Sequence, residues 1–135
     1  MKKFILAVIS VLFISISASY AQTIVYRTTE FASGQRNYRH VIVWGNWQRS
    51  NLQLTIDWDR SIIRVYSQLP QEYQIYDVGQ KYRDLDKGES IDCKAIDYDG
   101  LKCAIRLRVQ DNGTSQLYVF YEDCAWVYNL IIDRR

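Results

Sequence analysis

From Leu101 to Val109 every odd-numbered residue is apolar (Leu101, Cys103, Ile105, Leu107, Val109), while Lys102, Arg106 and Arg108 occupy even positions. A period of two puts one set of side chains on a dry face and the other on a wet face, which predicts a β-strand. Residues 52–58 alternate in the same way on even positions, through Leu52, Leu54, Ile56 and Trp58. Residues 124–130 place Trp126, Tyr128 and Leu130 in step. Apolar, β-branched and aromatic runs at 24–31, 38–47, 62–66, 73–78, 91–96 and 117–121 complete a set of about nine strands, one every ~12 residues.

The connections are short and rich in turn formers: Asp57-Trp-Asp-Arg-Ser61, Asp97-Tyr-Asp-Gly100, Asp111-Asn-Gly113 and Glu122-Asp123. They leave no room for crossover helices, so neighbouring strands are expected to be antiparallel. An uninterrupted meander must dispose of its two edges, and closure into a barrel removes them. The predicted fold is therefore all-β, one antiparallel meander of 8–9 strands, a barrel in preference to a two-sheet sandwich. Residues 77–90 stand out as a long polar link, with room for one helical turn around Lys81 to Asp84.

Two cysteines bracket the Asp97-Tyr-Asp-Gly100 turn. Gly100 suits the left-handed position of a three-residue hairpin loop, and Asp97 can cap that loop with its carboxylate. In that register Ala95 opposes Cys103 and Cys93 opposes Ile105, which leaves the two sulfurs diagonal. Disulfides need Cα atoms within ~7 Å, so the diagonal is marginal. Cys93 and Cys103 are accordingly candidates for a disulfide, the alternative being two small buried thiols. Cys124 opposes Tyr121 across Glu122-Asp123 and is expected to be a buried free thiol. Asp97 and Asp99 do not make a calcium loop, because Ile105 stands where a late Glu is needed. With one histidine, His40, zinc ligation is not supported, and no metal or cofactor is expected.

The N-terminus changes the charge picture. Lys2 and Lys3 precede an apolar run from Phe4 to Ile16, and Ser19-Tyr-Ala21 supplies small residues at a cleavage position. Residues 1–21 read as a signal peptide that is removed, and residues 22–135 as one exported domain, periplasmic or extracellular. The chain has 17 Lys+Arg against 15 Asp+Glu, and loss of Lys2 and Lys3 brings the two into balance. No basic block remains to neutralise a polyanion, so nucleic acid is not an expected partner. No later apolar run is long enough for a spanning helix, so stable membrane insertion after cleavage is not expected either.

Candidate chemistry is sparse. His40 is expected on one face of a strand with Tyr38, Ile42 and Trp44, as a partly buried histidine. The carboxylates fall in turns, and no nucleophile elbow, phosphate loop or dinucleotide fingerprint occurs. Catalysis is not the expected role. Aromatic content is more informative, with eleven Tyr, four Trp and four Phe. Most are needed to fill a barrel, but Tyr118 is expected outside, beside Arg106 across a hairpin. Tyr118, Arg106 and Arg108, with Trp44 and Trp47, form the candidate partner surface, since Tyr, Trp and Arg carry much of the energy at binding interfaces. Gly45-Asn46-Trp47 resembles the G-x-W that opens lipocalin and avidin-type barrels. The resemblance implies a barrel with a ligand cavity and one end closed by Trp47, although residues 24–42 precede it here. The expected role is a binding module for a small apolar ligand, a glycan or a protein, the alternatives being a structural or interaction protein with a solid core and, behind it, a hydrolytic enzyme.

Overall fold

The computed structural model describes residues 23–84 and 88–133; the signal-peptide reading lies outside them. Among these residues, eleven strands run in chain order as β1 (Thr23–Arg36), β2 (Ile42–Trp44), β3 (Gln48–Arg49), β4 (Gln53–Asp57), β5 (Ile62–Val65), β6 (Gln71–Val78), β7 (Tyr82–Arg83), β8 (Gly88–Asp97), β9 (Lys102–Gln110), β10 (Ser115–Phe120) and β11 (Cys124–Ile132). Eight of them close an antiparallel barrel, and three are additions to its wall. The order is β11-β10-β9-β8-β6-β5-β4-β1, with β1 returning to β11 along nine paired residues from Tyr26↔Ile132 to Gln35↔Cys124. Closure thus comes from joining the first strand to the last.

β1 makes this closure possible because it changes partner along its length. Thr23 to Arg27 pair with β4, Glu30 and Phe31 with β3, and Gly34 to Arg36 with β2. The exchange happens at a bulge between Thr28 and Glu30. There Thr28, 1% exposed, fills the break in the ladder: its hydroxyl accepts the Leu52 N–H at 2.8 Å and shares a hydrogen bond with Ser50 Oγ at 2.8 Å. A buried hydroxyl without such partners would cost stability.

The alternation read from the sequence sorts the residues as expected. Leu54, Ile56, Ile63, Ile105, Leu117 and Val119 point inward and are at most 1% exposed. At the end of the barrel that carries the β8–β9 loop, rings fill the interior. Phe31 packs on Tyr128 with centroids 5.2 Å apart, and Tyr121 on Trp126 at 5.3 Å. Tyr73 donates to Gln71 Oε1 at 2.6 Å, and Gln71 donates in turn to the Tyr128 hydroxyl at 3.1 Å. These rings pack into the core cluster at this end. Trp47 is 47% exposed and closes nothing.

The β8–β9 hairpin has the register expected of a three-residue loop, with Ala95↔Cys103 and Cys93↔Ile105. Gly100 has φ +86°, a conformation that costs glycine nothing. Asp97 Oδ1 accepts the N–H groups of Asp99 and Leu101, and Oδ2 accepts the Tyr121 hydroxyl at 2.7 Å. Burial opposes ionisation of Asp97, but Tyr121 and the loop N–H groups outweigh it and hold the carboxyl below its usual range.

Because the register is diagonal, Cys93 and Cys103 remain thiols, which corrects the disulfide candidate. Burial pushes Cys93 up to about 12, with help from Asp92 and Asp77, and Cys103 up to about 11. Neither is a nucleophile at neutral pH. Cys124 is also free but half-buried rather than buried. Iodoacetamide is expected to label Cys124 first in the native protein and to add three labels in denaturant without reductant. Only one label there would restore the bond.

Two other expectations change. His40 lies exposed in the turn after β1 at φ +63°, not on a strand face. The link at 77–90 holds no helical turn among its described residues. Instead β7 continues the direction of β6 along β8, pairing Tyr82↔Ser90 and Arg83↔Glu89 after Gly79 donates to the Asp92 carbonyl.

Candidate binding surface on the barrel wall

The outward side chains of β1, β11, β10, β9 and β8 line up in rows because every pair is in antiparallel register. One row is Gly34–Ala125–Phe120–Ala104–Lys94, with Trp44 beyond Gly34 on β2. The next is Ala32–Val127–Tyr118–Arg106–Asp92, and the third is Glu30–Asn129–Gln116–Arg108–Ser90.

The small residues of the first two rows explain the position of Trp44. A Cβ at Gly34 would meet Ile42 Cγ2 and the Val43 carbonyl at 2.8 Å, so only glycine lets β2 lie this close. Ala32, Ala125 and Val127 face outward, yet are only 2%, 0% and 3% exposed. They form a shallow floor, and Trp44 reaches across it to meet Tyr118 edge-on at 6.0 Å. Tyr118 stacks on Phe120 at 5.6 Å with planes 6° apart, and the Arg106 guanidinium lies 5.4 Å from the Phe120 ring. Such ring pairs contribute about 0.5–1.5 kcal/mol each beyond burial, and an exposed cation–π contact about 0.5–1 kcal/mol. The base of β2 is held by Arg36, whose guanidinium donates to the carbonyls of Tyr121, Glu122 and His40.

The charges around the rings are neutralised in place. Arg106 Nε donates to Asp92 Oδ1 at 2.8 Å, and Tyr82 on β7 donates to the same carboxylate at 3.2 Å. The Asp92 partner and burial act in opposite directions on Arg106, and the partner prevails, raising the guanidinium above its usual value. Lys94 pairs with Asp77 at 3.8 Å.

The third row is a continuous polar ladder. Asn129 donates to Glu30 at 2.8 Å, Gln116 to Asn129 at 2.8 Å, and Arg108 to Gln116 at 3.1 Å. Arg108 also donates to both oxygens of Asp84, and Asp84 accepts from Ser90 Oγ and the Gly88 N–H.

Of the residues singled out in the sequence, Trp44, Tyr118 and Arg106 therefore come together on one wall. Arg108 belongs to the ladder below them, its side chain only 12% exposed. Trp47 lies in the β2–β3 connection and makes no ring contact among the described residues. Phe120 and Asp92 were not singled out. Phe120 was legible as the next outward residue after Tyr118, since strand positions two apart share a face. Among the described residues, no group of His, Cys, Asp and Glu could hold a metal ion.

No family model, curated protein or solved structure matches the chain.

Proposed function

We propose that this protein is exported and works as a non-catalytic binding module for neutral glycans, through the Trp44–Tyr118–Phe120–Arg106 wall. The observation that carries this reading is the unbroken run of ring and guanidinium contacts on the outside of the barrel. Sugars present apolar C–H faces that lie on aromatic rings and hydroxyls that bond to fixed polar groups. The wall offers both, with Trp44 39% exposed. Its cations are matched by Asp92 and Asp77, which favours an uncharged ligand over a polyanion. The reading of residues 1–21 as a leader supports export.

The test is a printed array of neutral and acidic glycans, followed by calorimetry on the hits. Binding to neutral glycans is expected, weakened about tenfold or more by Trp44→Ala, as for a central aromatic contact. Retention of full affinity in Trp44→Ala and Tyr118→Ala, or binding confined to acidic glycans, would overturn the proposal. So would an array with no hits.

A further inference from the structure

The end of the barrel opposite the β8–β9 loop is not filled. β5 pairs with β6 only over Ile62↔Gln74 to Val65↔Gln71, while β6 and then β7 run on along β8. Between the β4–β5 turn and β7 with the start of β8 lies a cavity of about 200 Å³. Its apolar lining is Tyr26, Ile56, Trp58, Ile91, Leu107 and Leu130, all on the inward face or at the adjoining turn. Lys81, Glu89 and Arg108 stand at the rim with Ser115 and Gln116.

We infer that this mouth is a second binding site, separate from the aromatic wall, for a small uncharged compound carrying one aromatic ring or a short aliphatic chain. Size sets the first limit. An apolar cavity of about 150 Å³ accommodates benzene, whereas drug-sized ligands occupy roughly 300 Å³ or more. The mouth therefore admits one ring and not two. Charge sets the second limit. Lys81 lies 4.0 Å from Glu89, and Arg108 is bound to Asp84 at 2.6 Å, so the rim charges already face opposite partners. An ionised ligand would lose hydration to enter and would find a like charge beside each opposite one. A hydroxyl or amide head has the Ser115 hydroxyl and the outer solvent to bond to.

The test is a methyl and amide NMR titration of the exported chain with benzyl alcohol, benzoate, benzylammonium and 1-naphthalenemethanol. Benzyl alcohol is expected to give saturable shifts at Ile56, Ile91, Leu107 and Leu130, with the two ions and the bicyclic compound about tenfold weaker or worse. Ile91→Trp, which fills the opening, is expected to abolish those shifts, while Trp44→Ala leaves them unchanged. Ser115→Trp provides a second blockade if Ile91→Trp does not fold. Non-saturable shifts, shifts of equal size at the exposed rings of Tyr38 and Tyr98, equal affinity for benzoate, or binding that survives a folded blocking variant would each overturn the inference.

Discussion

Leu117→Ala is expected to lower the free energy of unfolding by about 3 kcal/mol, whereas Tyr118→Ala, one residue along, costs about 1 kcal/mol. Leu117 is fully buried on the inward face of β10, between Leu107 and Tyr128 on the neighbouring strands. Truncation there removes apolar contacts and leaves a cavity that the hydrogen-bonded wall cannot collapse to fill. Tyr118 loses ring contacts at a half-exposed site, and water replaces part of them. Urea denaturation of the two variants measures the difference. A larger loss at Tyr118 than at Leu117 would mean that β10 presents its other face to the core.

Asp84→Ala is the second large effect, a loss of about 2–4 kcal/mol. Breaking a buried ion pair from one side typically costs 3–5 kcal/mol, and the lower range reflects side chains that are 12% and 20% exposed. The Asp84 carboxylate also receives the Ser90 hydroxyl and the Gly88 N–H, and Ser90 is 1% exposed. Removing it deprives Arg108, Ser90 and Gly88 of a shared acceptor and frees the end of β7 from the wall. Replacing both partners, Asp84→Leu with Arg108→Met, is expected to cost less than Asp84→Ala alone, because no charge is then left without its counterpart. Thermal melts of the single and double variants decide this. A double variant less stable than Asp84→Ala would show that the ladder through Gln116 matters more than the ion pair.

The parts of the fold legible in the sequence are those where one face is dry and the turn chemistry is local. Residues 101–109 show their alternation openly, and Asp97 with Gly100 sets the loop length, so the register of β8 and β9 follows from a dozen residues. Gly113, at φ +93°, repeats the arrangement in the next hairpin. Legibility fails where neither condition holds. Residues 79–83 are wet on both faces and show no alternation, yet Tyr82 and Arg83 pair with β8 through their backbone. Residues 38–44 carry Tyr38, His40, Ile42 and Trp44 on one parity, but Tyr38 and His40 belong to a turn capped by Asn37, whose side chain accepts the N–H groups of Arg39 and Val41.

The candidate wall was half legible for a similar reason. The Tyr118–Arg106 neighbourhood is a hairpin contact, readable from two adjacent strands. The Trp44–Tyr118 contact exists only because β1 closes onto β11 and because Gly34 and Ala125 leave space between them. No local pattern encodes that closure. Arg108 looked like surface in the strand pattern and is held down by Asp84, a residue of the link whose path the pattern did not show.

Proton–proton nuclear Overhauser spectroscopy in the aromatic region tests the closed wall with its outward rings most directly. Cross-peaks are predicted from the Trp44 indole to the Tyr118 ring, and from the Phe31 ring to the Tyr128 ring, the first outside the barrel and the second within it. A Tyr118 ring that instead contacts Ile105 or Leu117 methyls, with no cross-peak to Trp44, would contradict both the closure and the surface built on it.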